Sequence, residues 1–436
     1  MAKDTQGIQR RRRADQSVVL DKKRYRGKLA VDGIEVDVRF TLSAKADCRL
    51  SFEFDAVDGA SFMLLAKTMG RPGQLNGHFA IDALTRGGDR VTSDTMSLGA
   101  YQVNNDGYFI EASYLAATVT RVMKNGAPKP ILKLWFRGFS SYRNSTVETP
   151  LGTVAVWGAT KGSDSDEMSG CVAISAPSEV PDASWIVQAD EFLRHMHQGL
   201  AFAHGGGLQT PRLDHIEGNI FKATFFSGSG YQPEFPVQYS LHHGPIIAAL
   251  VARYFDQGPV SEVVWIALRW MQSGTTVDEV RFLTGMTALE TIIESELPAK
   301  KGTIIPKANF KMLRQKLMDM VDHSLDLTVD QREIFKKRIE GNNKKSLPEK
   351  IDALFDHYKI SRRDFPLTTV VSLVNLRNKI VHTGVVPDDV GIWGSIILVR
   401  ELITRILLSE IGFNGRYCCY IGGRHDRNFP ELPLAG

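Results

Sequence analysis

The spacing of apolar residues changes along the chain, from a period of two in the first half to a helical period after about Pro245. Residues 34–42 alternate apolar with polar side chains, and residues 50–54 repeat that alternation. A period of two indicates half-buried strands, and the Asp-Gly pairs that begin at Asp32 and Asp58 favour tight turns between them. Short strands separated by such turns predict a sandwich or barrel.

The rest of the first half continues this pattern less regularly. Strand-favouring residues predict further strands around 108–110, 131–136, 154–157 and 221–239. One helix is predicted near 189–202, before a loop at Gly205-Gly206-Gly207. The first half is therefore expected to be rich in β structure.

After Pro245 the apolar spacing becomes helical, first in residues 246–255 and 260–271. Three pairs fit the capping box that begins a helix: Thr276 with Glu279, Thr328 with Gln331, and Ser346 with Glu349. Another helix is predicted to begin after Pro366 and to end at Gly384. The last long helix carries an apolar stripe over 392–406, which can pack in a bundle or against a copy of itself.

These patterns predict an α+β multidomain protein, and 436 residues are enough for two or three domains. The expected parts are a basic flexible arm at 1–17, a β-rich sensor or regulatory region at 18–245, a helical domain at 246–412 and a C-terminal tail at 413–436. The β-rich region has one lobe, or two with a break near 160–180. A sandwich- or barrel-like half followed by an all-α bundle is the predicted fold class.

Composition narrows the class of protein. The segment 392–411 is the longest apolar-rich one, and Arg400, Glu401 and Arg405 interrupt it, so no membrane span is predicted. The arginines at 10–13 are not followed by an apolar stretch, and the four cysteines lack metal-ligand spacing. A cytoplasmic, reduced protein is expected. A net charge of +4 does not establish nucleic-acid binding, and basic runs at 300–345 predict either a solvated face or a phosphate-tracking surface.

The candidate chemistry lies in the sequence LRNKIVH at 376–382, near the end of a predicted helix. RNA cleavage needs a base for the 2′-OH, an acid for the 5′-oxygen and a cation for the phosphoryl charge. His382 can be base or acid, Arg377 can hold phosphate through paired hydrogen bonds, and Asn378 can orient either group. No metal or cofactor is required.

One copy of this motif is only half a site. Asn378 and His382 are four residues apart and share a helix face, whereas Arg377 is five residues from His382, so its side chain must curl back or the helix must be distorted. Two copies facing each other across a twofold axis would supply base, acid and two cations. The motif therefore predicts a homodimer through the helical domain, if the protein cuts RNA.

An ordinary amphipathic helix is the alternative interpretation, with Arg377 and Lys379 solvated and His382 capping the last carbonyls. Glu290 is expected to be solvated or capping, although it could also hold Arg377 or His382. Four other segments are not expected to form a functional site. His195 and His197 are poorly placed to share a metal, and Gly205-Gly206-Gly207 is not a phosphate-binding P-loop. A turn is expected at His242-His243, and a surface loop at 424–427.

The segment LRNKIVH resembles the R-N-x3-H signature of the HEPN superfamily, without departure. The residues FLTG at 282–285 and ALETII at 288–293 also resemble the front of HEPN domains that follow a β-rich half, an architecture similar to ApeA-type anti-phage proteins. The resemblance covers about 260–411. It implies a dimeric all-α bundle with metal-independent endoribonuclease activity, in which Arg377, Asn378 and His382 are catalytic.

The resemblance also implies a biological role. An abortive-infection effector would cleave RNA to 2′,3′-cyclic phosphate and 5′-OH ends, with the β-rich half sensing a phage-derived trigger. Two alternatives stay open. One is a non-catalytic HEPN-like module that binds RNA or nucleotide and dimerises. The other is a toxin restrained by a partner that docks on the β-rich half.

Overall fold

In the computed structural model, the described residues are 22–31, 33–44, 49–66, 78–104, 107–141, 144–159, 168–204, 208–227, 239–271, 277–386 and 391–431. They divide into two compact units. The first contains the described residues up to 227 together with Tyr239–Val251, and the second contains those from Ala252 onward. The predicted arm at 1–17 and the loop at Gly205-Gly206-Gly207 lie outside the described residues.

The first unit is built on antiparallel strands. The strands are β1 (Lys23–Val31), β2 (Ile34–Ala44), β3 (Leu50–Phe54), β4 (Phe79–Leu84), β5 (Arg90–Asn104), β6 (Gly107–Tyr114), β7 (Ala116–Arg137), β8 (Ser145–Thr149), β9 (Gly152–Trp157), β10 (Met168–Ser175) and β11 (Arg212–Phe226). They form one sheet in the order β3-β2-β1-β4-β5-β7-β10-β9-β8, with β6 paired to β5 and β11 paired to β7. The predicted β-rich half is thus confirmed, and its described strands form one branched antiparallel sheet.

The alternation predicted for the first strands appears as alternating burial. Val36, Val38 and Phe40 of β2 are buried, whereas the residues between them are exposed. Gly33 has φ +79° in the two-residue turn that joins Val31 to its cross-strand partner Ile34. A two-residue hairpin turn requires positive φ, which glycine adopts without strain.

The turn predicted at Asp58 is instead a helix start. Helix α1 (Gly59–Ala66) begins directly after this residue. The Asp58 carboxylate accepts hydrogen bonds from the Ser61 N–H at 2.9 Å and from the Ser61 hydroxyl at 2.8 Å. Aspartate favours turns and N-caps for the same reason, since its short side chain reaches nearby backbone N–H groups. Local sequence therefore did not separate the two outcomes.

Two further helices follow the sheet, α2 (Trp185–Ala203) and α3 (Tyr239–Gln257). The second unit continues with α4 (Glu262–Met271), α5 (Asp278–Glu296), α6 (Lys307–Asp322), α7 (Val329–Gly341), α8 (Leu347–Tyr358), α9 (Leu367–Thr383) and α10 (Ile392–Glu410). Helix α5 packs against α4, α8, α9 and α10, and α6 packs against α7. At Gly285 of α5, a Cβ atom would lie 3.2 Å from Val399 Cγ1, so glycine permits this close approach of α10.

The helix starts agree with two of the three predicted capping boxes. Thr328 accepts from the Gln331 N–H at 3.3 Å, and the Gln331 amide oxygen accepts from the Thr328 N–H at 2.9 Å. Ser346 and Glu349 form the same reciprocal box at the start of α8. Thr276 lies outside the described residues, and Val277 occupies the N-cap position of α5.

The segment after α10 has regular structure. Strands β12 (Gly415–Cys419) and β13 (His425–Phe429) form an antiparallel hairpin, so the surface loop expected at 424–427 becomes a strand from His425 onward. Cys418, Cys419 and Tyr417 are buried. None of the helices described above has both the length and the apolar character needed to cross a bilayer.

Candidate active site

The candidate residues lie on the last two turns of helix α9. The buried face of this helix carries Val370, Leu373, Val374, Leu376 and Ile380, at spacings that place an apolar stripe against the bundle. The helix ends where predicted. Gly384 has φ +71°, and its N–H donates to the Ile380 carbonyl at 2.7 Å. A left-handed glycine is a common helix stop because it has no Cβ to clash.

Arg377 pairs with Glu290 of α5. The Arg377 Nε lies 3.1 Å from Glu290 Oε1, and Nη2 donates to Oε2 at 3.3 Å. Each side chain is 31% exposed, so the pair lies at the surface of the bundle rather than in its core. Helix α5 is anchored by its buried neighbours Leu289 and Ile293, and it therefore holds the carboxylate in a fixed place.

Glu290 is the site residue that the sequence did not identify as one, because a solvated or capping role was expected for it. The two partners are 87 residues apart in the chain. The only clue in the sequence is position: Glu290 lies within the ALETII segment, on a helix predicted to belong to the same bundle.

Asn378 is exposed, and its amide oxygen accepts a hydrogen bond from Arg377 Nη1 at 3.2 Å. The arginine is thus contacted from two directions, by Glu290 on the neighbouring helix and by Asn378 on its own. A guanidinium group carries five N–H donors. One N–H on each Nη atom donates to these two partners, so the second N–H on each Nη atom stays available to a phosphate oxygen.

His382 lies in the last turn of α9 with its side chain exposed. Within the described residues its imidazole has no hydrogen-bond partner. Helix α9 is continuous from Leu367 to Thr383, so the helical distortion that would bring His382 to Arg377 is not seen. The structure brings Arg377, Asn378 and Glu290 together and leaves His382 apart, on the helix face of Asn378.

The exposed face of α9 is partly apolar. Leu367 and Val371 are exposed, and Asn378 and His382 follow them along the helix. The successive spacings of four, seven and four residues keep all four side chains on one stripe of α9. Solvated helix faces usually carry polar residues. This stripe of α9 therefore combines two exposed apolar side chains with two of the candidate residues.

Other histidines have structural partners. His195 and His197 of α2 contact the carbonyl oxygens of Leu250 and Leu208, at 3.0 and 2.7 Å. His243 lies in α3 rather than in the expected turn, and its Nε2 is 3.1 Å from the Ser141 hydroxyl. The described residues contain no group of three or more His, Cys, Asp or Glu side chains that could hold a metal ion.

The chemical capacity of the site follows from these contacts. A held guanidinium with spare N–H groups can bind a phosphate, and an exposed imidazole can transfer a proton. Within the single chain, the guanidinium of Arg377 and the imidazole of His382 do not contact each other. No protein-family model, no curated protein and no solved structure matches the chain.

Proposed function

We propose that this protein is a metal-independent endoribonuclease of the HEPN type that acts as a homodimer. One observation carries the proposal: Glu290 and Asn378 contact the Arg377 guanidinium at the surface of α9, five residues before an exposed His382. Arg377 would stabilise the charge that develops on the phosphoryl oxygens. Asn378 would fix the guanidinium or the phosphate, and His382 would transfer the proton.

The dimer is part of this proposal because each chain brings a single imidazole, that of His382, to the candidate site. Transesterification by the 2′-OH needs a proton acceptor and a proton donor in the same step. A twofold axis along the exposed stripe of α9 would place two His382 side chains at one site and would cover Leu367 and Val371. The products would carry 2′,3′-cyclic phosphate and 5′-OH ends.

A cleavage assay with single substitutions tests the catalytic role. The purified full chain is incubated with RNA in EDTA, beside His382→Ala and a control, His323→Ala, which removes an exposed histidine at the end of α6. We expect His382→Ala to lose at least about a hundredfold in rate, as for other general acid–base groups. His323→Ala should cut like the unsubstituted protein. Equal cleavage by all three proteins would refute the proposal.

A mixing experiment tests the dimer. Unsubstituted protein and His382→Ala protein are unfolded together, refolded at varied ratios and assayed at constant total concentration. If both imidazoles are needed, the rate follows the square of the unsubstituted fraction, so an equal mixture retains roughly one quarter of the rate. A linear dependence would show that each protomer acts alone.

The wider role in anti-phage defence rests on the resemblance at 282–293 and 376–382. We propose that the β-rich unit responds to a phage-derived trigger and that the helical unit then cuts RNA. Expression of the unsubstituted protein and of His382→Ala in phage-challenged cells tests this role. Equal phage yield from both cultures would contradict it. RNA binding without cleavage by the pure protein would instead support a binding module.

A further inference from the structure

A basic cleft of about 680 Å³ opens in the β-rich unit. It lies between the start of β1, the turn from β4 to β5 and the middle of β7. The charged residues that line it are Lys23, Arg24, Arg86, Asp89, Arg121 and Lys124. Small-molecule sites commonly have volumes of roughly 300–1,000 Å³, so the cleft has room for a ligand of nucleotide size.

Asp89 organises one side of the cleft. Its side chain is only 8% exposed, and it accepts from Arg121 Nε at 3.0 Å and Nη2 at 2.6 Å, and from Lys23 Nζ at 2.7 Å. Burial alone would raise the pKa of Asp89, but the hydrogen bonds from Arg121 and Lys23 outweigh it and hold the pKa below its usual value. An ionised Asp89 therefore fixes both cations in place.

The rim of the cleft carries cations that the protein does not neutralise. Arg86 and Lys124 are exposed, and neither forms an ion pair with a described residue. Arg24 pairs with Asp55 at 2.5 Å. The five lining cations pair with two carboxylates, Asp89 in the lining and Asp55 outside it, which leaves three positive charges uncompensated. Arg121 also keeps Nη1, which contacts no described acceptor, so a planar donor remains for a phosphate oxygen.

The uncharged residues that line the cleft favour a small ligand over nucleic acid. Val122 and Met123 give the cleft an apolar side, against which an organic group can pack. Proteins that track single-stranded RNA usually stack bases on aromatic rings. The described residues that line this cleft include no aromatic side chain.

We propose that this cleft binds the di- or triphosphate group of a small ligand, held by Arg86, Lys124, Lys23 and Arg121. Two adjacent phosphates carry a charge of about −3, which matches the uncompensated positive charge. A nucleoside oligophosphate and an inorganic oligophosphate share this chemistry. The binding is independent of RNA cleavage by the helical unit, so each proposal can fail without the other.

Calorimetric titration of the full chain tests the proposal, with inorganic triphosphate, a nucleoside triphosphate and a ten-nucleotide single-stranded RNA as separate probes. The test variant is Arg86→Ala/Lys124→Ala, which removes exposed side chains without breaking a described ion pair. The matched control is Arg26→Ala/Arg39→Ala, because these exposed cross-strand neighbours lie in the same unit, outside the cleft lining. Both variants lose the same charge.

We expect the unsubstituted protein to bind a triphosphate, the test variant to bind it at least tenfold more weakly, and the control to stay within twofold. Similar affinities for the two triphosphates would assign recognition to the phosphate chain. A higher affinity for the nucleoside triphosphate than for inorganic triphosphate would indicate that the nucleoside also contacts Val122 and Met123. The proposal fails if neither triphosphate binds at millimolar concentration, if the control weakens binding as much as the test variant, or if only the RNA binds.

Discussion

Arg405 and Arg377 both lie on helices of the second unit and both pair with carboxylates, but their burial and their number of partners differ. Arg405 is 1% exposed and contacts Glu401 at 2.9 Å, Asp364 at 2.6 Å and Glu431 at 3.2 Å. Arg377 is 31% exposed, and Glu290 is its one ion-pair partner among the residues that the structure describes. The three carboxylates surround the buried guanidinium of Arg405, although its Nη1 forms no hydrogen bond with a described residue. A buried cation needs such partners within the protein, whereas a partly exposed one can keep donors for a ligand.

The surroundings of Arg405 explain why the segment after α10 is ordered. Tyr417 of β12 donates to Glu401 at 2.7 Å and accepts from Arg405 Nε at 3.1 Å. Arg427 of β13 pairs with Asp364, which also accepts from Arg405. The hairpin is thus joined to α10 by a buried ionic network, so we assign Arg405 to stability, whereas ligand binding by Arg377 is the role proposed above.

The largest effect on stability is expected from Arg405→Ala. Removing the cation leaves Glu401 as a buried carboxylate without its cationic partner and leaves Asp364 with Arg427 alone among the cations described here. Breaking a buried pair typically costs about 3–5 kcal/mol. Hydrogen exchange of the α10 amides in urea measures the loss, because a chain with two units need not unfold in one step. A loss below about 1 kcal/mol would erase the distinction between the two arginines.

Low pH is expected to have a smaller effect on the stability of the second unit. Burial alone would raise the pKa of Asp364, but hydrogen bonds from Arg427 and Arg405 outweigh it and lower the pKa. The folded unit therefore binds this proton less readily than the unfolded chain. The contribution of ionised Asp364 to the free energy of unfolding is complete above the ordinary aspartate pKa, about 3.9. It is lost as the pH falls through the lowered pKa of the folded unit.

Asp364→Asn tests that assignment. The free energy of unfolding of the substituted unit should lie below that of the unsubstituted unit at neutral pH, and the gap should narrow below about pH 4. The same hydrogen-exchange measurement on α10, repeated across pH, follows it. A gap that stays constant through the acid range would show that the Asp364 carboxylate does not supply the stability.

Arg377→Ala should cost at most about 1 kcal/mol of stability, the range for exposed ion pairs. RNA cleavage should nevertheless fall by about a hundredfold or more, because a charge-stabilising donor is lost. Arg269→Ala is the control, since Arg269 forms an exposed ion pair with Glu262 at 3.1 Å in the same unit. If both variants have similar stability and only Arg377→Ala loses cleavage, the result would support a role for Arg377 in the reaction rather than in stability. Unchanged cleavage by Arg377→Ala would remove its proposed role.

The sequence predicted features that depend on neighbouring residues. The alternation in β2, the boxes at Thr328 and Ser346 and the end of α9 at Gly384 are all local, and the structure confirms them. Hydrophobic period and capping chemistry act within about one turn or one strand. Such features can be read from a single sequence.

Contacts between distant residues could not be predicted in the same way. Glu290 and Arg377 are 87 residues apart, and Arg405 and Asp364 are 41 apart. Glutamate on a helix surface is compatible with solvent, a cap or an ion pair, and packing between helices decides which one occurs. The hydrogen bond between the adjacent residues Arg377 and Asn378 was not predicted either, because it depends on side-chain conformation. The expectation that Asn378 orients the imidazole or the phosphate stays a prediction.

The smallest change in stability is expected from Glu290→Gln, a few tenths of a kcal/mol, because the pair is half-exposed and the side-chain shape is kept. Its effect on cleavage separates two roles of the carboxylate. If Glu290 positions Arg377, the substitution lowers kcat several-fold because the guanidinium loses its fixed orientation. KM should fall slightly, since a negative charge near the RNA is removed.

Glu294→Gln is the matched control, one turn further along α5, where Glu294 pairs with Lys350 instead of Arg377. It should leave kcat unchanged. A rise in kcat for Glu290→Gln would mean that the carboxylate restrains Arg377 rather than positions it, so the pair would act as a brake. The double variant Arg377→Ala/Glu290→Gln then decides the question: a carboxylate that acts only through Arg377 has no effect once the arginine is gone.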